Sequence, residues 1–242
     1  MNSPTIGLMI LAAGASTRMG TPKQLLLYQE CSFIRHITEV AIGALLLTHL
    51  SVAVATEGAS ASQTQRSTER SRRSQRFAIA SVCHPIAVVL GANAERIKPE
   101  IIHLPVQIVE NQQWEEGMSA SIRVGLEALL AMNQNLEAVA IALCDQPFVS
   151  SQTLNQLVEA YRVTGKPIIA SEYSGILGVP ALFNHTLFSE LMTLKSTEGA
   201  KKLIKKYIHE VFSVPFPEGA IDIDTPKDYE QLQTQLFRYP TS

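Results

Sequence analysis

The sequence has little that would tie it to a membrane, an oxidising compartment or a polyanion. It holds three cysteines in 242 residues, Cys31, Cys83 and Cys144. So odd and sparse a set builds no disulfide framework and suits a reducing cytosol. No apolar run approaches the roughly 20 residues of a membrane-spanning helix. Lys and Arg number 20 against 22 Asp and Glu, for a formal net charge of −2. No global positive field draws in nucleic acid, so such a partner is not expected. No Lys or Arg precedes Arg18, and the apolar stretch 6–11 runs straight into a glycine loop, which argues against a cleaved secretory leader. The expectation is a cytoplasmic chain with no membrane segment. His84, His103 and His209 show no zinc-ligand spacing with the cysteines, and Cys144 falls in an apolar run and reads as core.

What is present is apolar. The chain is 46% hydrophobic and 17% charged, enough to bury a sizeable core. Five short runs are continuous rather than alternating: 6–11, 86–90, 106–109, 138–143 and 167–170. That pattern marks strands covered on both faces. Helical spacing appears over 33–47, 119–132, 151–163 (with Ser151 placed to cap it), 187–194, 199–209 and 227–237. Alternating strands and helices predict an α/β fold with a mostly parallel sheet, in which ligands bind beyond the carboxyl ends of the strands.

One segment breaks this rhythm. EGASASQTQRSTERSRRSQR (57–76) has almost no apolar residue and cannot offset its ordering entropy by burial. AIG at 41–43 resembles AIA at 78–80, and joining the chain there gives HITEVAIASVCHPIAVVLG, an uninterrupted helix, turn and strand. A disordered insertion is therefore expected at about 45–79. Its Arg66, Arg70, Arg72, Arg73 and Arg76 could form a partner- or RNA-binding arm, but a tolerated surface insertion is the favoured reading.

The first apolar run empties into LAAGASTRMGTPKQLL (11–26). Gly14 and Gly20 permit close backbone approach to an anion, Arg18 offers a planar fork for phosphate oxygens, and Lys23 adds a compact charge. The spacing is neither GxxxxGK[ST] nor GxGxxG. ALCDQPFV (142–149) places Asp145 just after a buried strand, where a carboxylate is costly unless it faces a cation or donors. A carboxylate so placed suits a hard divalent ion, and Asp145 is the first candidate to hold one. In AIDIDTPKDYEQL (220–232), Asp224 precedes Thr-Pro and suits a helix cap. On a strand Asp222 would share its face.

The 11–26 stretch resembles the signature LAAGxSxRMGxPKxLL of the nucleotidyltransferase superfamily that includes molybdenum cofactor cytidylyltransferase and guanylyltransferase, with every fixed position present. The resemblance covers nearly the whole chain apart from the insertion. It implies a single nucleotidyltransferase domain over 1–242 with a three-layer, Rossmann-like, GT-A-like fold. It also implies that Leu11, Ala12, Ala13 and Gly14 lie along base and ribose, that Gly14, Ser16 and Arg18 contact phosphates, and that Lys23 neutralises their charge. NQQWEEGMSASIRVGL (111–126) resembles the second block and implies Asn111, Gly117 and Ser119 near the nucleotide. Ser119 could also cap its helix, and Trp114 reads as packing. SGILGVPALF (174–183) resembles the acceptor-side loop, with Gly178, Val179 and Pro180 where relatives carry Gly-His-Pro. In LKSTEGAKKL (194–203), Ser196 and Thr197 replace a Gly-Asp pair. At 220–232 the resemblance implies, with equal weight to the cap, a second metal contact at Asp224; Asp222 is the weaker candidate.

The implied reaction is transfer of CMP from CTP to a phosphorylated small molecule, molybdopterin first, with release of pyrophosphate in the presence of Mg²⁺ or Mn²⁺. CTP is favoured because LAAG resembles the cytidylyl-transferring relatives, and the Ala13 methyl would narrow the base pocket. A sugar or alditol phosphate acceptor is the alternative, as is a non-catalytic nucleotide- or cofactor-binding module. The resemblance further implies a molybdoenzyme or cofactor chaperone as protein partner.

Overall fold

A computed structural model describes residues 4–56, 84–195 and 199–238, with 45–56 and 235–238 as backbone path alone. The first strand, β1 (Ile6–Ala12), is buried along its whole length. Its neighbours β4 (Ile86–Leu90) and β6 (Ala138–Leu143) pair with it in parallel. β5 (Gln107–Glu110) extends the sheet beyond β4, again in parallel. β7 (Ile168–Tyr173), β8 (Ile176–Asn184) and β9 (Val211–Pro215) complete seven strands in the order β5-β4-β1-β6-β8-β7-β9. Only β8 runs against the rest. A small hairpin, β2 (Leu27–Tyr28) and β3 (Cys31–Ser32), stands apart.

Alternation along β1 divides the core in two, because successive side chains leave a strand on opposite faces. Leu8 and Ile10 pack with Ile34 and Ile37 of α1 (Phe33–Thr56) and with Leu154 and Leu157 of α4 (Ser151–Thr164). Leu232 of α7 (Pro226–Arg238) joins that face. Met9 and Leu11 pack with Ile122, Leu126 and Leu129 of α3 (Met118–Met132). Leu191 of α5 (Phe188–Met192) and Leu203 of α6 (Lys201–Lys206) complete the second layer. A short helix, α2 (Ala94–Ile97), follows β4. The expected three-layer α/β architecture with a mostly parallel sheet is what the chain forms. Among the described residues no helix is long and apolar enough to cross a membrane.

The seam between α3 and the sheet is close-packed at Gly125. A Cβ there would stand 2.7 Å from Met9 Sδ and 2.8 Å from Val89 Cγ2, both in the interior. Gly125→Val should therefore destabilise the fold by about 1–3 kcal/mol through overpacking. In a chain of this size that lowers a thermal midpoint by roughly 2–4 °C per kcal/mol, which a melting curve would read.

Several expectations are corrected. β8 occupies much of the stretch read as an acceptor-side loop. A strand with Gly178 and Pro180 in its interior needs a local irregularity. The pairing skips from Ala170–Ala181 to Ser171–Gly178, leaving Val179 and Pro180 in a bulge where the missing proline N–H is not needed. Ser171 Oγ donates to Pro180 O at 2.7 Å and closes it. α1 continues to Thr56, since no glycine or proline interrupts 44–57. The insertion expected from about 45 thus begins within a helix, and 57–79, with the arginine cluster, lies outside the described residues. Ser150, not Ser151, caps α4, in a reciprocal pair with Thr153. Residues 221–224 form no strand. The helix expected over 199–209 is the shorter α6, followed by a 3-10 turn at Ile208–Glu210.

Candidate active site

The sheet reverses its winding between β1 and β6, the crevice position where open α/β sheets take ligands. The 11–26 loop leaves β1 there and is held by a residue whose role the sequence did not reveal. Gln24 is 1% exposed. Its Nε2 donates to Ala12 O and Gly14 O, both at 2.9 Å, and its Oε1 accepts from Ser16 Oγ at 3.3 Å. Ser16 Oγ in turn accepts from Lys23 N at 3.0 Å. The available signal was a polar side chain directly before two leucines, which must find partners if buried. Gly20, at φ +74°, supplies the left-handed turn that returns the chain. Gln24→Ala would strand two carbonyls and should cost about 1–3 kcal/mol in a denaturant titration.

The loop's cations meet two acids. Lys23 Nζ lies 2.6 Å from Asp145 Oδ2 and 2.9 Å from Asp224 Oδ1, and Arg18 Nη2 lies 2.8 Å from Asp224 Oδ2. Burial would lower the Lys23 pKa, but Asp145 and Asp224 outweigh it and hold the ammonium above its ordinary value. The hydrogen bond from Lys23, reinforced by the charges of Lys23 and Arg18, holds the Asp224 carboxyl below the usual range. Asp145 Oδ1 is buried and has no hydrogen-bond partner among the described residues. Asp145 O accepts from Ile223 N at 3.1 Å, which fastens the 221–224 segment to the end of β6.

Asp224 is not the cap of α7. Thr225 and Asp228 perform that role: Asp228 Oδ2 accepts from Thr225 N and Oγ1, each at 2.8 Å, and Asp228 N donates to Thr225 Oγ1 at 3.3 Å. The Asp224 carboxylate is left to the cations. Asp222 also faces the cleft; partial desolvation and then the charge of Asp145 raise its carboxyl above the usual range.

These groups line a cleft of about 660 Å³. Leu11, Ala12, Ala13, Gly14, Arg18, Lys23, Gly117, Asp145 and Asp224 all border it. Ser16, Asn111 and Ser119 are not among its lining residues. Asn111 is buried, donating from Nδ2 to Ser121 Oγ at 3.0 Å and accepting Gln113 N at 2.9 Å; it braces the turn into α3. Ser119 is buried inside the first turn of α3, which Gly117 precedes, so it is not the cap. Trp114, Met118 and Ser121 take the wall instead. The opposite wall holds Val179, from the stretch that resembles an acceptor-side loop, with Gln146, Tyr173 and Lys201, which the sequence did not single out. Cys144 also borders the cleft, but burial pushes its thiol far above the usual range, so it supplies no thiolate. Among the described residues no group of three or more His, Cys, Asp or Glu side chains is arranged to hold a metal ion.

Two curated relatives share parts of this chain. Nicotine blue oxidoreductase of Paenarthrobacter nicotinovorans is 35% identical over 80 residues, 33% of this chain and 37% of that protein. Purine catabolism protein PucB of Bacillus subtilis (strain 168) is 28% identical over 135 residues, 52% of this chain and 60% of that protein. The matches thus span less than two thirds of either relative. Among solved structures, Rv0371c from Mycobacterium tuberculosis H37Rv superposes with a TM-score of 0.69 at 24% identity, over 96% of this chain and 100% of that one. A structure of Rv0371c complexed with manganese gives 0.63 at 24% identity, over 96% and 98%. At these identities the likeness is one of fold. The family model for the MobA-like NTP transferase domain matches residues 8–70 and 71–211, and with the loop, the acids and the sheet in agreement, the chain belongs to that nucleotidyltransferase family.

Proposed function

We propose that this nucleotidyltransferase moves CMP from CTP to a phosphorylated small molecule, molybdopterin first, and releases pyrophosphate. The observation that carries the reading is the convergence of Lys23 and Arg18 on Asp145 and Asp224 at one end of the sheet. A phosphate-binding loop and a cation-binding acid pair then share one cleft. The resident cation at the acids is an ammonium. Two carboxylates on one Nζ, with a further buried carboxylate oxygen lacking a partner among the described residues, form an oxygen-donor set that suits a hard divalent ion. Asp145 and Asp224 would hold Mg²⁺ or Mn²⁺, and the manganese bound by Rv0371c accords with this. Such an ion, when bound, would offset the negative charge of the phosphates.

The chain's own residues supply the rest. Lys23 and Arg18 would exchange their carboxylate partners for triphosphate oxygens, Arg18 most readily because its side chain is 70% exposed. An acceptor phosphate oxygen would attack the α-phosphorus in line. The bond from that phosphorus to the bridging oxygen would break, and the electron pair would leave on pyrophosphate. A phosphate nucleophile is already ionised at neutral pH, so positioning and electrostatics suffice. Ala13 lines the cleft, and a methyl there in place of the hydrogen of a glycine favours a pyrimidine. Pyrophosphate release would be measured with each of four NTPs against molybdopterin, sugar phosphates and alditol phosphates. CTP with molybdopterin is expected to lead. Another NTP leading, or nucleotide binding without release on any acceptor, would overturn the reading, the latter in favour of a non-catalytic binding module.

A further inference from the structure

Among the described residues that line the cleft, the positive side chains are Arg18, Lys23 and Lys201. The first two stand on the loop wall, engaged with acids. Lys201, the first residue of α6, stands on the opposite wall. Its surroundings are shaped by the bare backbone of Gly178. The Lys201 Cε lies 3.2 Å from where a Cβ on that glycine would stand, and the Tyr173 hydroxyl would collide with such a Cβ. An ammonium stem and a phenol therefore converge over one glycine on the wall facing the triphosphate loop. Lys201 forms no ion pair within 4 Å among the described residues; Asp222 acts on it only at longer range.

Transfer to a phosphorylated acceptor brings two anions together, and their repulsion grows steeply in a partly desolvated cleft. Lys23 and Arg18 are committed to the nucleotide. The acceptor's phosphate therefore needs its own cation on the other side of the α-phosphorus. We propose that Lys201, with the Tyr173 hydroxyl beside it, binds the acceptor's phosphate and selects a phosphate monoester over the corresponding free alcohol. This rests on the transferase reading above and adds the residue that sets its acceptor class.

The test uses glycerol 3-phosphate as the minimal phosphate monoester, titrated calorimetrically into the full chain holding Mn²⁺ and a non-hydrolysable CTP analogue. The wild type should bind it, and glycerol should not bind. Lys201→Met should weaken binding at least tenfold, with affinity for the CTP analogue unchanged. Lys201→Arg should restore most of the affinity, which a merely structural role would not require. Equal binding by wild type and Lys201→Met, or no binding by the wild type while the CTP analogue binds normally, overturns this inference alone. Failure of the wild type to bind the CTP analogue overturns the transferase reading, and this inference with it.

Discussion

Asp145→Asn is expected to reduce nucleotidyl transfer at least about 100-fold while leaving the chain folded. Asparagine keeps the volume and one acceptor oxygen, so Lys23 retains a hydrogen bond and Ile223 N still reaches Asp145 O. What disappears is the negative charge at the end of β6, together with the basic oxygen Oδ1 that has no hydrogen-bond partner among the described residues. Loss of a residue that merely orients a metal ligand already costs about 10- to 100-fold in affinity or activity, and a direct ligand should cost more. Pyrophosphate release and a far-UV melting curve on the same preparation separate chemistry from folding. Turnover near the wild-type rate would remove Asp145 from its assigned role.

Lys23→Met should have the second-largest effect, and its sign differs between two measurements. Transfer should fall about 10²- to 10³-fold, the loss typical of deleting one preorganised donor to developing charge. Binding of Mn²⁺ in the absence of nucleotide should move the other way. In the free protein Lys23 occupies the position between Asp145 and Asp224, so its ammonium competes with any other cation there. Removing it leaves two carboxylates facing each other without their shared counter-charge. The variant should melt at a lower temperature than the wild type and gain more from added Mn²⁺. Isothermal titration with Mn²⁺ alone reads the affinity directly. Weaker binding to Lys23→Met than to the wild type would contradict an acid pair that accepts cations.

The parallel half of the sheet was legible because β1, β4 and β6 are buried on both faces, which forces continuous apolar runs. β8 was not: its stretch resembles an acceptor-side loop, and only the bulge opposite Ser171 makes Gly178 and Pro180 compatible with a strand. The extent of α1 was not legible because no glycine or proline over 44–57 marks where the helix-forming run gives way to the polar segment that follows. At the site, the loop wall was legible since it is contiguous in sequence. The opposite wall is assembled from the ends of β6 and β7, the bulge of β8 and the start of α6, residues far apart in the chain; only the β8 stretch was marked in the sequence, through its resemblance to an acceptor-side loop, and nothing local placed Gln146, Tyr173 or Lys201 beside it. Asp224 shows the same limit. Cap and cation partner were indistinguishable until the Thr225–Asp228 hydrogen bonds supplied the cap. Asn111 and Ser119 show the converse: polar residues beside a cleft serve the turn and helix that frame it rather than border the cavity.

The most direct measurement is a crystal structure with Mn²⁺ and a non-hydrolysable CTP analogue, with anomalous scattering recorded at the manganese edge. The account predicts an anomalous peak coordinated by Asp145 and Asp224, the triphosphate along Gly14 to Arg18, and Lys23 moved from the acids to a phosphate oxygen. A nucleotide bound elsewhere, with the Lys23–Asp145 pair still intact at its present separation, would contradict it.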